Sequence, residues 1–220
     1  MAHRSAGKAE LIDKMRRPYV DAPFHRLTLT NIARASGVSM WAVRYWFDNV
    51  ERGFRAVANH LIEQVRDQFT IYDAKTSLAV HDAISDYADF VASIMRSPDY
   101  VDLLSLVLRN GCHHTWLARA FERDIVKPAS RRLEDIVLDA GHHQGLVILM
   151  KEGTARRFYR RLESEFALPI IVRPTENLDD EGCARLMQDI VREAFEATYL
   201  FDLPAHRGQP RSLETTALSA

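Results

Sequence analysis

The apolar positions of this chain recur almost throughout at three- and four-residue steps, the spacing of one helical face. Ala9 to Arg17 carries Leu11, Ile12 and Met15 on such a stripe, and Pro18, lacking an N–H, is predicted to end or bend that helix. Residues 1–8 are polar and read as a frayed terminus or, through Arg4 and Lys8, as an arm against phosphates or a minor groove. Tyr19 to Leu27 is a connection with a turn at Pro23. Thr28 then caps a short helix to Ala35 whose inner face holds Ile32 and Ala33. Gly37 is free to take a left-handed turn, Ser39 caps a second helix, and Val43 and Phe47 lie one turn apart on one side of it. Asp48 and Glu51 form a capping box for a long helix to about Tyr72, with Phe54, Val57, Ala58, Leu61, Val65 and Phe69 inward.

Further helices are predicted over Ser77–Arg96, over Tyr100–Arg109 with Asn110-Gly111 as its stop, from Trp116 to a stop near Pro128, and from Leu133 to a close at Gly141. Residues 142–178 break the pattern. The runs after Gly145 (LVILM) and after Pro169 (IIVR) flank a charged helix over Thr154–Phe166, and periodicity leaves two short strands or irregular helix ends open. Asp179 and Asp180 introduce a last helix with Leu186, Ile190, Ala194, Phe195 and Thr198, ending before Pro204. The predicted fold class is all-α: a three-helix helix-turn-helix head over 1–50, a larger helical body over 51–205 with room for short strands within 142–178, and a flexible tail over 206–220.

Charge changes the picture more than composition does. The 220 residues are 47% hydrophobic and 27% charged, ordinary for a globular chain, and the net charge is −1. Residues 1–50, however, hold eight Lys/Arg against four acids, whereas the remainder holds 21 against 26. A small basic head on an acidic body suits a protein that meets phosphate at one end. Cys112 and Cys183 make no disulfide framework, and no apolar run has membrane-spanning length or the look of a secretory signal, so a cytoplasmic protein is expected.

The outer side of the second short helix shows Met40, Trp41, Arg44 and Tyr45, large and apolar for a water-facing surface but suited to a DNA groove. Met40, Trp41 and Tyr45 are assigned to the groove, by contact with thymine methyls or stacking on sugars; Arg44 reads a base or grips phosphate. Thr28, Thr30, Ser39 and Trp46 are assigned to phosphates, Trp46 serving equally well as a core neighbour of Phe47. In the body, Tyr87, Phe90, Met95, Trp116 and Phe121 are candidates for a cavity holding an apolar ligand, or plain core. Cys112, His113, His114, His142 and His143 raise a metal-sensor alternative, against which adjacent histidines on a helix point about 100° apart. A glycine-rich phosphate loop, G-x-S-x-G and H-E-x-x-H are all absent from the sequence, so neither catalysis nor a cofactor is expected, and acids such as Glu163 and Glu165 read as a charged helical face.

Taken together, Thr28, Ile32, Ala33, Gly37, Val38, Ser39, Val43 and Phe47, set within Leu11–Phe54, resemble the signature of the TetR family of bacterial transcriptional regulators. Four positions depart from it: Arg44 stands where the family usually has tyrosine, Val50 where it has lysine, Gly53 and Pro18 where it has leucines. The resemblance implies a homodimer joined by its last helices in a four-helix bundle. Two heads would then read a palindromic operator in double-stranded DNA, and a small-molecule effector in the body would release it, as in a repressor. An architectural DNA-binding protein without an inducer is the alternative within the same fold.

Overall fold

Short helices near the N-terminus depend on their caps, and the caps are made. In the computed structural model, which describes residues 2–73, 79–172 and 180–202, the Asn31 N–H donates to Thr28 Oγ1 and the Ala42 N–H to Ser39 Oγ, each at 3.1 Å. These bonds start α2 (Leu29–Ala35) and α3 (Met40–Trp46). Between them Gly37 stands at φ 64, where a side chain would be strained, and Ile32, Ala33, Val43 and Phe47 are buried together.

Helix α1 (Ala2–Asp21) is longer than predicted at both ends: it begins at Ala2, and Pro18 lies inside it rather than ending it. Burial explains the continuation, since Met15, Tyr19 and Val20 on either side of the proline are held in the core, and the Tyr19 hydroxyl donates to Val50 O at 2.9 Å. Helix α4 (Val50–Thr70) starts one residue from the predicted cap. Asn49 Oδ1 accepts from the Arg52 N–H at 2.9 Å, while Asp48 pairs with the Arg52 guanidinium and Glu51 with Arg55. Gly53 faces Tyr19 so closely that a Cβ there would collide with the phenol oxygen.

The body is built from α4, α5 (Val80–Met95), α6 (Pro98–Asn110, capped by Ser97) and two long rods. The first rod runs through α7 (Thr115–Phe121), a π-helical turn (Glu122–Val126) and α8 (Lys127–His143). Neither Pro128 nor Gly141 stops it. The second runs through α9 (Thr154–Leu162), a π-helical turn (Glu163–Ala167) and α10 (Leu168–Val172), with Pro169 inside. In each rod the proline follows the wide turn by two residues, where the hydrogen-bond ladder already shifts register and its missing donor and ring are absorbed.

Of the two apolar runs, only the first is a strand. β1 (Leu146–Met150) pairs antiparallel with β2 (Thr198–Asp202), Ile148 opposite Leu200, and the second run is helical in α10. Gly145, at φ 68, turns the chain out of α8 into β1, and the bare Cα of Gly141 lets Ile148 lie on that helix. Helix α11 (Asp180–Glu196) packs against α5 and α9 and stops before Thr198, whose hydroxyl donates to Ala194 O at 3.0 Å. Ser77, Asp179 and the tail 206–220 lie outside the described residues. Glu163 corrects the surface reading: it is buried, accepting from the Tyr100 hydroxyl at 2.7 Å and from Arg160 at 2.6 Å.

Gly53→Ala is expected to lower stability by about 1–3 kcal/mol through overpacking against Tyr19. In a Tyr19→Phe background the added cost should shrink; denaturant midpoints of the four proteins measure both.

Candidate nucleic-acid interface

With Ile32, Ala33, Val43 and Phe47 turned inward, α3 presents its other side to solvent. Trp41 is 75% exposed and Tyr45 49%, the only large apolar side chains so exposed in the head among the described residues. Their rings stack on each other at 5.3 Å and 20°. Trp46 is half-buried, edge-on to Tyr45 at 5.0 Å, with Lys8 Nζ 5.9 Å from its ring centre. Trp46 thus packs against the core, as its reading as a neighbour of Phe47 expects. Met40 is half-buried against the core, and Arg44, Thr28, Thr30 and Ser39 are exposed. All eight residues proposed for DNA thus lie on α3 or at the starts of α2 and α3, and Arg34 is also exposed on α2.

A buried ionic seam seats this head on the body. Arg16 of α1 donates from Nε to Asp102 Oδ2 and from a terminal nitrogen to Asp99 Oδ1, both at 2.6 Å, and Gln68 of α4 donates to Asp99 Oδ2 at 2.8 Å. The Arg16 and Asp102 side chains are 14% and 7% exposed. The two carboxylates hold the guanidinium in its charged form against the opposing effect of burial. Arg109 of α6 donates to Val20 O at the end of α1, and His114 packs on the rings of Phe24 and Phe54 with Nδ1 3.5 Å from Glu51. Nothing in the hydrophobic pattern marks Arg16; one of two adjacent arginines among neighbours of either charge carries no periodic signal.

The predicted ligand residues separate. A cavity of about 300 Å³ between α4, α5 and the first π turn is lined by Phe69, Tyr72, Tyr87, Ile125 and Ala129, with Arg66, Asp124 and Arg132 also on its wall. Tyr87 belongs to it, its hydroxyl donating to Ala129 O at 2.7 Å, and Phe90 joins the same aromatic group 4.8 Å from Tyr72. Burial pushes both tyrosine phenols above their ordinary range, so they stay neutral donors. Met95 is core, Phe121 packs on Tyr100, and Trp116 lies between Phe54 and the Arg55 guanidinium. These three do not line that cavity. Of the residues behind the metal alternative, His114 packs on the Phe24 ring with Nδ1 3.5 Å from Glu51, and among the described residues no three His, Cys, Asp or Glu side chains are placed to hold an ion. Nor is any described helix long and apolar enough to cross a membrane.

No family model matches the sequence, and no curated protein matches it either. Solved structures match the fold. The chain has the fold of TetR-family transcriptional regulators. It superposes on one from Mesorhizobium loti (TM-score 0.66, 12% identity, 88% of this chain and 97% of that one) and on one from Pseudomonas syringae (0.64, 11%, 87% and 96%). It also superposes on the flavonoid-responsive regulator FrrA (0.63, 18%, 94% and 100%).

Arg16→Ala leaves the buried Asp102 carboxylate without its main partner and is expected to cost about 3 kcal/mol or more in chemical denaturation. Lys14→Ala, which removes only an exposed pair with Glu10, should leave the denaturation midpoint close to that of the parent.

Proposed function

We propose that this chain is a ligand-responsive transcriptional repressor that binds a palindromic DNA operator as a homodimer in the cytoplasm. The observation that carries the reading is α3: a capped helix, held by a buried wedge, that turns Trp41, Arg44 and Tyr45 to solvent beside the basic end of the chain. Residues 1–50 are the reading head, and 51–205 the regulatory and dimerising body. A head this small gains affinity chiefly by being tethered to a second, through effective concentration.

The last helices supply the dimer face. On α9, Arg157 and Arg161 line one bank of a groove of about 320 Å³, and on α11 Glu193 and Glu196 line the other without an ion pair between the banks among the described residues. A two-fold axis can set each bank against its opposite in a second copy. The effector occupies the Tyr72–Tyr87 cavity, which touches α4, the helix that also forms the head's junction. Binding there releases DNA only by favouring a spacing of the two heads that the operator does not fit.

Selection from a random pool of duplexes with the purified protein is expected to enrich an inverted repeat with half-sites about 10–10.5 base pairs apart, centre to centre, or a multiple. Arg44→Ala should weaken binding to it by about tenfold or more and, if phosphate is its partner, lower the salt slope by about one. A pool that yields no inverted repeat overturns the reading.

A further inference from the structure

The side chains on α3 are unusual in what they omit. In the major groove, guanine is read by arginine or lysine, adenine by the amides of asparagine or glutamine, and cytosine by a carboxylate. Helix α3 is Met-Trp-Ala-Val-Arg-Tyr-Trp, so Arg44 is its single member of that set. The Ser39 hydroxyl, just before it, already accepts from Ala42 N–H. Three of the four bases therefore meet no charged or amide reader on this helix. What the helix offers instead is an exposed slab of two stacked rings, Trp41 and Tyr45, 5.3 Å apart and 20° from parallel. Thymine alone presents an apolar group in the major groove, its 5-methyl.

Resting on the operator-binding reading above, we infer that Trp41 and Tyr45 read thymine methyls, and that each half-site is specified by a run of thymines beside one position set by Arg44. The stack matters because it fixes both rings before DNA arrives. An edge-on contact with Trp46, itself half-buried, also holds Tyr45. A preformed apolar surface loses little side-chain freedom on docking, so most of the gain from covering the methyls remains as affinity. The local charge favours duplex DNA over an apolar peptide as the occupant, since Arg44 is exposed next to Tyr45 on α3, Lys8 lies over Trp46, and Arg34 is exposed on the neighbouring α2.

The test uses the full chain and the duplex that selection enriches, resynthesised with deoxyuridine in place of thymidine, a change that removes only the methyl. Covering one methyl is worth about a fourfold change in binding, so a half-site with two contacted thymines should weaken by about tenfold or more when both are replaced. The same replacement in the flanks should change nothing. Trp41→Ala should narrow the difference between the thymidine and deoxyuridine duplexes and the double variant Trp41→Ala, Tyr45→Ala should abolish it, and because both side chains are exposed the circular dichroism and melting of the two variants should match the parent. An operator that binds equally well with deoxyuridine throughout its half-sites overturns the inference and leaves the regulator reading standing. Failure to enrich any duplex overturns both.

Discussion

Arg16 is where the head and body of this protein become one object. Its guanidinium is nearly out of solvent, and it lies between two aspartates of the first turns of α6, one of which is also held by Gln68 of α4. Charges so placed are costly to separate, because opening the seam leaves a buried carboxylate without a partner. The seam thus fixes α1 against α6 and adds to the apolar packing of Met15 and Tyr19 on α4. Everything that α3 presents follows from it, since α1 packs on both α2 and α4.

The four departures from the TetR signature are best understood together. Pro18, Val50 and Gly53 concern one contact: the proline precedes Tyr19, the phenol of Tyr19 donates to the carbonyl of Val50, and Gly53 clears the space the ring occupies. Where leucines would interdigitate, this chain places a single tyrosine that packs on Phe54 and satisfies itself on the first turn of α4. The junction keeps its filling with a different set of side chains. The fourth, Arg44, stands apart on the exposed face of α3, where it touches recognition and not folding.

Local chemistry was legible in the sequence; long-range partners were not. Thr28, Gly37 and Ser39 act on residues three or four away, and their caps and turn stand where the sequence puts them. Pro18 and Pro128 misled because a proline's local cost is set against burial and a π turn that only tertiary structure reveals. The β1 run was ambiguous for want of its partner, β2, which lies some fifty residues on at the end of α11. Glu163 shows the same limit from the other side: amid arginines it looked solvated, whereas Tyr100, from a distant helix, draws it inward. Of the ligand candidates, Tyr87 and Phe90 share an aromatic group, and Met95, Trp116 and Phe121 do not, because helical spacing places a residue on a face and does not say which neighbour that face meets.

The central claim is that two copies hold their α3 faces toward successive major grooves. The most direct measurement is the distance between heads: a spin label at Ala35→Cys, with Cys112 and Cys183 replaced by serine, in the dimer bound to its selected operator. The account expects one narrow distribution at about 34–36 Å, or a multiple of it, allowing for the label's tether. A distribution as broad with operator as without it, or no dipolar coupling between labels, contradicts the claim.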